Sequence, residues 1–351
     1  MKKTLIASAI AAATFSGAVM AQGTMSAAEM AAKMESMPTV YGNIQYAFAH
    51  DNFDGGPSTV EHFDNGSTLG VKHDHEIAPG ITGFFKLELE GLNADDKNGD
   101  DNGINDGDFA GLTELDEAYI GVKGDSFGQV WVGSDDSTYE RAVTEIAEYF
   151  EVATINQGVD YSTGEGDLVQ YMSPSFSGLS VWAAVQVNGD ADSRTGGTKS
   201  YPYQLAAVYE MDGLELAAAV DSNDNGDGNG ENTYGLRASY NINDLRVTGE
   251  YHTRKDASDT FGVIGYYTIG ANQFALSYEM TQYDDQAAEF AGLDSSTITL
   301  QALHNLSDNM YVYFEGYLGG GDEVWEYEDS QGNTAVTDER TIASVGAVYY
   351  F

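Results

Sequence analysis

The segment Leu245–His252 reads LRVTGEYH, and its apolar and polar residues largely alternate. A second segment, Phe274–Met280, reads FALSYEM and places four large apolar side chains on one face. In a third, Phe85–Glu90 (FKLELE), a lysine and two glutamates oppose three apolar residues. Successive side chains of a β-strand point to opposite faces, so each segment predicts a strand with one apolar and one polar face. Such strands suit a sheet with lipid on one side and water on the other.

Segments of this kind recur along the chain, and we count sixteen of them. Turn residues such as Pro79-Gly80 separate them, and short connections alternate with longer polar ones. A soluble β-sandwich has the same period, but it has fewer strands and loops of similar length at both ends. The count therefore predicts an all-β fold, a transmembrane antiparallel 16-stranded β-barrel wide enough for an aqueous channel. The predicted strands are Val40–Asp51, Leu69–Asp74, Ile81–Gly91, Leu115–Lys123, Gln129–Gly133, Asp167–Met172, Leu179–Val187, Tyr203–Tyr209, Leu214–Asp221, Thr233–Tyr240, Leu245–His252, Asp259–Tyr267, Gln273–Thr281, Thr297–His304, Met310–Leu318 and Thr341–Phe351.

The first residues predict a secretory signal peptide, residues 1–21. Lys2 and Lys3 precede an apolar stretch, and Val19-Met20-Ala21 has the form that a signal peptidase reads. A membrane helix is the alternative, but the apolar run is short for a bilayer and no stop-transfer charge follows it. Residues 22–39 then form a short N-terminal segment with a helical pattern, and residues 40–351 form the barrel. The sequence leaves open whether residues 22–39 lie in the periplasm, enter the pore or move freely.

Acidic residues dominate the composition, with 56 Asp and Glu against 15 Lys and Arg and a formal net charge of −41. This charge excludes nucleic acid as a partner and attracts cations. The chain has no cysteine, which excludes disulfides, thiolate metal sites and thiol nucleophiles. It has no H-E-x-x-H motif, and the adjacent His50 and Asp51 point to opposite faces of a strand. We therefore expect neither an enzyme nor a cofactor.

Several short motifs occur in order along the chain: Val40–Gly42 (VYG), Ser67–Lys72 (STLGVK), Glu117–Gly124 (EAYIGVKG), Tyr171–Gly178 (YMSPSFSG) and Gly346–Phe351 (GAVYYF). Together they resemble the general diffusion porins of Gram-negative outer membranes, from residue 40 to residue 351. The resemblance implies a homotrimer in which each subunit has its own pore. It also implies an outer-membrane location among lipid and lipopolysaccharide, and a third loop that folds into the barrel.

The third loop of such a barrel is Ser134–Gly166 here, and we call it the acidic loop. Ser137 and Glu140 match a capping box, which predicts a helix from Ser137 to about Phe150. Apolar residues would cover one side of that helix and glutamates the other. If the apolar side packs on the inner wall, as the resemblance implies, the polar side sets the field at the narrowest point; a solvated surface helix is the alternative. The predicted constriction residues are Asp135, Asp136, Glu140, Arg141, Glu145, Glu148 and Glu151.

The opposite wall of the predicted pore also favours cations. Positions at which the porin family often has a basic cluster are occupied here by Asn43, Thr68 and Asp116. Lys86 partly replaces that cluster, and Glu88 lies on the same strand face. A carboxylate-lined constriction facing a wall that has lost basic residues predicts a cation-selective channel.

Two acid-rich stretches suggest weak cation binding. Residues 221–226 begin like a calcium loop, and the candidate ligands are Asp221, Asn223, Asn225 and Glu231. The expected twelfth-position acid is displaced by one residue and no helices flank the loop, so a solvated loop is the simpler interpretation. The run Asp95–Asp108 is similar, and loosely bound divalent cations that bridge to lipopolysaccharide are the alternative there. His73 and His75 share a strand face but have no third ligand nearby in the sequence.

Three functions fit these features. The first is a channel for passive diffusion of ions and small hydrophilic solutes, with cations favoured. The second keeps the channel and adds contacts that guide a specific solute such as an oligosaccharide. The third is an adhesin or enzyme that uses the barrel only as an anchor; sixteen strands and a candidate pore loop favour the first two.

Overall fold

The structure is a computed structural model that describes residues 37–92, 94, 114–153, 161, 163–187, 200–224, 230–287, 290–329 and 331–351. The predicted signal peptide, nearly all of residues 22–39 and the acid-rich run Asp95–Asp108 lie outside the described residues. No helix among the described residues is long and apolar enough to cross a membrane.

Nineteen strands and one short helix make up the described chain. The strands are β1 (Thr39–Phe53), β2 (Ser58–Asp64), β3 (Leu69–Ala78), β4 (Ile81–Glu90), β5 (Glu114–Gly124), β6 (Gly128–Ser134), β7 (Leu168–Met172), β8 (Leu179–Gln186), β9 (Tyr203–Met211), β10 (Leu214–Asp221), β11 (Thr233–Ile242), β12 (Leu245–Arg254), β13 (Ser258–Ile269), β14 (Asn272–Tyr283), β15 (Asp294–Ser307), β16 (Met310–Gly321), β17 (Trp325–Glu328), β18 (Thr334–Thr337) and β19 (Arg340–Tyr350). The helix, α1, comprises Thr138–Val143 and lies between β6 and β7.

The strands form a closed antiparallel barrel of sixteen positions, which confirms the predicted fold. From β3 to β16 each strand pairs with the next strand in the chain. β2 and β3 both pair with β1, one along Tyr46–Asn52 and the other along Thr39–Gly42, so together they fill one interrupted position. β19 pairs with β16 on one side and with β1 on the other, which closes the ring. β17 and β18 form a separate hairpin.

Some connections predicted to be long loops contain strand instead. β2 lies within the predicted loop after the first strand, and only residues 54–57 connect it to β1. β12 and β13 are likewise joined by only Lys255–Ala257. The ladder continues into these polar stretches because cross-strand contacts hold it there, as where His50 Nε2 lies 3.0 Å from Ser58 Oγ.

The two faces of the barrel strands differ in composition. One face carries exposed apolar side chains such as Leu236, Phe261 and Leu276, and we call it the apolar face. The other carries buried polar side chains such as Thr248 and Thr299, and we call it the polar face. In a membrane barrel the apolar face meets lipid and the polar face is enclosed.

The seam that closes the barrel joins β1 and β19. Eleven residue pairs run from Asn43 opposite Tyr350 to Phe53 opposite Arg340. Beyond the Asn43–Tyr350 pair, Gly42 and Phe351 exchange backbone hydrogen bonds, with N···O distances of 3.3 and 3.1 Å. Gly42 has no side chain to obstruct this approach; a Cβ there would lie 2.7 Å from the Phe351 ring and 2.5 Å from a backbone oxygen. The seam therefore depends on close backbone contact.

Candidate functional site

The helix predicted in the acidic loop is present but shorter than expected. It begins as predicted, because Ser137 Oγ accepts a hydrogen bond from the Glu140 N–H at 3.1 Å. The Glu140 carboxylate instead accepts from Tyr161 Oη at 2.8 Å, and Thr144 ends the helix by donating its hydroxyl to the Glu140 carbonyl. The prediction that the helix reaches residue 150 is therefore wrong. After Val143, contacts with the barrel wall determine the path of the backbone.

Apolar residues of the acidic loop fit against two glycines of the wall. Tyr139, Val143 and Ile146 are fully buried. A Cβ added to Gly235 on β11 would lie 2.6 Å from the Tyr139 hydroxyl and from the Val143 side chain. A Cβ on Gly262 of β13 would lie 2.7 Å from Ile146 Cδ1. The missing side chains of these glycines provide the space in which the loop packs.

Polar-face side chains also hold the backbone of the loop. Gln204 on β9 accepts a hydrogen bond from the Tyr139 N–H at 2.9 Å, and Glu250 on β12 accepts one from the Ile146 N–H at 3.0 Å. These N–H groups are buried, where an unmet hydrogen bond is costly. The barrel wall therefore accepts hydrogen bonds from loop N–H groups that have no partner within a helix.

A single buried carboxylate, Glu315 on β16, holds the middle of the acidic loop. Its two oxygens accept hydrogen bonds from three consecutive N–H groups, those of residues 151–153, at 2.7, 2.8 and 3.1 Å. Gln301 donates a fourth hydrogen bond at 2.8 Å. Glu151 is further held through its own carboxylate by Tyr311 Oη at 2.6 Å, and through its carbonyl by Asn65 at 2.9 Å. Glu151 is therefore an anchoring residue of the loop.

Glu145 is paired with two arginines that the sequence analysis did not identify. Arg246 Nε and Nη2 donate to its carboxylate at 2.7 and 2.6 Å, Arg237 forms a further ion pair, and Thr248 donates at 2.9 Å. Burial acts to raise the pKa of Glu145, but the hydrogen bonds and charge of Arg246, with the charge of Arg237, lower that pKa to about 2. Arg237 also pairs with Glu215. The positive charges of both arginines are therefore offset by carboxylates.

Glu140, Glu148 and Asp136 have different surroundings. Burial and the negative charge of Glu148 raise the pKa of Glu140 to about 7, against the opposing effect of the Tyr161 hydrogen bond. Glu148 is exposed and Asp136 is half-buried. Together with Glu151, which Tyr311 holds, these are the carboxylates of the predicted constriction set that have no arginine contact among the described residues.

The basic residue predicted in the constriction, Arg141, is held between two indole rings. Its guanidinium lies 5.3 Å from the ring centre of Trp131 and 5.6 Å from that of Trp182. It also lies 3.5 Å from Asp135, which accepts a hydrogen bond from Trp131 Nε1 at 2.6 Å. Asp135 therefore offsets the charge of Arg141. Among the described residues, the acids whose ligand atoms come close enough to share a cation are Glu117, Asp135 and Asp136.

The residues predicted for the opposite pore wall lie on β1, immediately before β3, and on β4 and β5. Asn43 donates to Thr68 Oγ1 at 3.0 Å. The Lys86 ammonium pairs with Glu117 and lies 3.5 Å from Glu88. Asp116 is on β5, beside Glu117. Glu88 and Glu117 on this wall therefore offset the positive charge of Lys86.

The described candidate calcium ligands are engaged in contacts with other protein groups. Asp221 accepts hydrogen bonds from Thr163, Gln204 and the Asn223 N–H, all between 2.6 and 3.1 Å. Glu231 pairs with Lys255 at 2.6 Å. Asn225 lies outside the described residues. Asp221 thus holds the acidic loop to β10, and the calcium interpretation gains no support from the described members of the set.

Comparisons with known proteins agree with this architecture. The Gram-negative porin family model matches residues 7–322. A monosaccharide porin of a Halomonas species and the major outer membrane protein of Halomonas elongata are each 28% identical over 95% of this chain and 97% of theirs. Among solved structures, a Salmonella typhi OmpF complex with daunomycin (TM-score 0.70, 20% identity) covers 90% of this chain and 97% of that one. An anion-selective porin from Comamonas acidovorans (TM-score 0.66, 17% identity) covers 90% and 99%. The chain therefore belongs to the Gram-negative porin family, and it is an outer-membrane channel rather than an enzyme.

Proposed function

We propose that this channel passes ions and small hydrophilic solutes by diffusion and that it favours cations. The observation that carries the proposal is the pairing of charges around the acidic loop. Arg141, Arg237 and Arg246 each contact a carboxylate, whereas Asp136, Glu140 and Glu148 contact no arginine among the described residues. Carboxylates at a narrow point lower the energy of a partly dehydrated cation and raise that of an anion.

The proposal places the acidic loop inside the barrel, where it narrows the channel. Its support is the row of contacts that the loop makes with polar-face residues, from Gln204 on β9 through Glu250 on β12 to Glu315 on β16. The space left would lie between the loop and the wall formed by β1 and β3–β5. Lys86 and Lys123 on that wall pair with Glu117 and Asp74, so that side would also present little uncompensated positive charge.

The homotrimer and its surroundings belong to the same proposal. The resemblance to general diffusion porins supports three subunits with one pore each, set in lipid and lipopolysaccharide. Loosely held divalent cations between the acidic surface loops and lipopolysaccharide would follow from the net charge of −41. The same charge argues against nucleic acid as a partner.

A sugar-guiding channel is the second candidate, because aromatic rings lie along the loop and the polar face. Tyr149 of the loop stacks on Tyr266 of β13 with ring centres 4.9 Å apart. Aromatic rings and carboxylates are groups that can contact a sugar ring, and one relative bears the name monosaccharide porin. Saturation of sugar flux with rising concentration would favour this candidate, and a linear dependence would favour simple diffusion.

The reversal potential across a planar bilayer tests the charge preference. With a gradient of KCl we expect a potential of the sign that K⁺ permeation produces, and we expect it to decrease in Glu148→Gln. Glu326→Gln, on an exposed position of the separate hairpin, removes the same charge elsewhere and should leave the potential unchanged. A potential of the opposite sign would overturn the proposed cation preference. An absence of conductance would overturn the proposed diffusion of ions through the barrel.

A further inference from the structure

Two of the chain's three tryptophans lie against one arginine of the acidic loop. Trp131 on β6 and Trp182 on β8 project from the polar face, and the Arg141 guanidinium lies 5.3 and 5.6 Å from their ring centres. An aromatic face attracts a guanidinium through its charge and through stacking, and more strongly where water is scarce. We call Trp131 and Trp182 the tryptophan clasp.

Each ring of the clasp also has a hydrogen bond of its own. Trp131 Nε1 donates to Asp135 at 2.6 Å, and Trp182 Nε1 donates to Ser180 Oγ at 3.0 Å. Trp131 is in addition buried, so its ring has little freedom to turn. Because these contacts fix the N–H edge of each ring, the ring faces are set toward Arg141.

Of the three arginines near the acidic loop, Arg141 has the weakest ionic contact. Arg246 donates to Glu145 at 2.7 and 2.6 Å, and Arg237 pairs with the same carboxylate. Arg141 instead lies 3.5 Å from Asp135, and its side chain is 29% exposed, against 9% for Arg237 and 15% for Arg246. A long, partly exposed ion pair holds a side chain only weakly. The position of Arg141 therefore depends on the clasp.

A released guanidinium would have other acids close by. The carboxylate oxygens of Glu117, Asp135 and Asp136 lie within 4.8 Å of one another, and Arg141 already contacts Asp135. On leaving the indoles, the guanidinium would move toward these acids and into the proposed narrow part of the channel. There its charge would offset carboxylates that attract cations, and it would itself repel cations.

We propose that the tryptophan clasp determines the charge selectivity of the channel by keeping Arg141 against the wall. Trp131 and Trp182 are positioning residues, because they act on a permeating ion through the arginine. The inference rests on the proposed cation preference and names the side chains that maintain it. A fixed set of acids gives a different field when one positive charge moves, so selectivity depends on the clasp as well as on the number of carboxylates.

Reversal potentials across a planar bilayer test the clasp. Trp182→Leu removes one ring face but leaves Arg141 and the hydrogen bond between Trp131 and Asp135. We expect the ratio of K⁺ to Cl⁻ permeability to fall roughly two- to fivefold, the effect of one unit charge about 4 Å from an ion in water. Trp182→Phe keeps an aromatic face and should retain most of the ratio. An unchanged ratio in Trp182→Leu would overturn the proposal.

A double variant distinguishes release of the arginine from a general loosening of the loop. In an Arg141→Gln background no charge can be released, so Trp182→Leu should have no further effect on the permeability ratio. Trp325→Leu is the matched control, because it removes the third tryptophan, which packs on Tyr317, and should leave the ratio unchanged. A fall that persists without Arg141, or an equal fall in the control, would show that the indoles act only by packing and would overturn the proposal.

Chemical labelling follows the arginine independently of the current. An arginine-directed dicarbonyl reagent, mapped by peptide mass spectrometry on the whole protein in detergent, should label Arg141 several-fold faster in Trp182→Leu than in the unchanged chain. Arg246 is the internal reference. Equal labelling of Arg141 in the two chains, or an equal rise at Arg246, would overturn its selective release.

Failure of the proposed function has a different signature. An unchanged chain that prefers anions would overturn the proposed cation preference. If its permeability ratio still falls in Trp182→Leu, and only while Arg141 is present, the role of the clasp is supported. A cation-preferring chain in which Trp182→Leu changes nothing would overturn the clasp and leave the proposed function intact.

Discussion

The pKa values of two glutamates in the acidic loop, five residues apart, are shifted in opposite directions by their neighbours. Glu140 has buried surroundings, a glutamate nearby and one tyrosine hydroxyl, and its pKa is raised to about 7. Glu145 has two arginines, which outweigh the effect of burial and lower its pKa to about 2. At neutral pH Glu145 is therefore a fixed negative charge bound to arginine, whereas Glu140 can gain or lose a proton.

This difference predicts that selectivity depends on pH. Glu140 is neutral below its pKa and negative above it, so the loop gains a negative charge as the pH rises from 6 to 8. We expect the preference for cations to increase over that range by roughly two- to fivefold, the effect of about 1 kcal/mol from one charge about 4 Å away in water. Reversal potentials at each pH measure this. Glu140→Gln should abolish the step, and a step that persists in this variant would assign the titration to another group.

The pairing of Glu145 predicts a different outcome for two matched substitutions. Glu145→Gln breaks contacts to Arg237 and Arg246 and leaves positive charge beside the loop, whereas Glu148→Gln removes an exposed carboxylate with no arginine contact. We expect both to lower cation preference, but only Glu145→Gln to release the loop. Current noise in single channels and protease cleavage within the loop are the measurements. Equal noise and cleavage in the two variants would show that Glu145 does not anchor the loop.

Among the elements, α1 is too short to hold itself in place. Its six residues form fewer than two turns, and isolated helices of this length are unstable in water. It persists because Tyr139 and Val143 pack at Gly235, and because Gln204 accepts a loop N–H. The wall and the loop are therefore complementary surfaces.

The glycine positions predict how the loop can be displaced. Gly235→Leu should push Tyr139 and Val143 away from β11 and break the 2.8 Å contact between Tyr139 Oη and His252. With the loop shifted toward the channel, we expect lower single-channel conductance. Gly249→Ala on β12 is the control, because its Cβ would meet only an ordinary contact at 3.9 Å. Unchanged conductance in Gly235→Leu would contradict the proposed position of the loop.

At the scale of the whole molecule, the net charge of −41 predicts selectivity that depends on salt. The Debye length falls from about 10 Å at 0.1 M to about 3 Å at 1 M, so distant carboxylates cease to act on a permeating ion. We expect the ratio of cation to anion permeability to fall steadily over that range. Reversal potentials at a fixed KCl ratio and increasing mean concentration measure it. A ratio that does not change would place the selectivity in direct contacts.

The barrel could be predicted from the sequence because alternation is local: FALSYEM shows its two faces without reference to any other segment. The start of α1 could be predicted for the same reason, since Ser137 and the Glu140 N–H are three residues apart. Its end could not, because it depends on wall contacts such as that of Ile146 with Glu250, which is 104 residues away. Arg237 and Arg246 were missed because they look like ordinary polar-face residues until folding places Glu145 beside them.

The seam between β1 and β19 also affects the order in which the barrel folds. Every other pair of neighbouring barrel strands is close in sequence, whereas Asp51 and Arg340 at the seam are 289 residues apart. Fixing such distant strands costs loop-closure entropy that only the completed neighbouring pairs can repay. Closure is therefore expected late in folding, after a long-lived curved sheet with two unpaired edges. While these two strand edges are unpaired, the chain is most able to pair with another chain. At that stage it depends most on any factor that covers the edges.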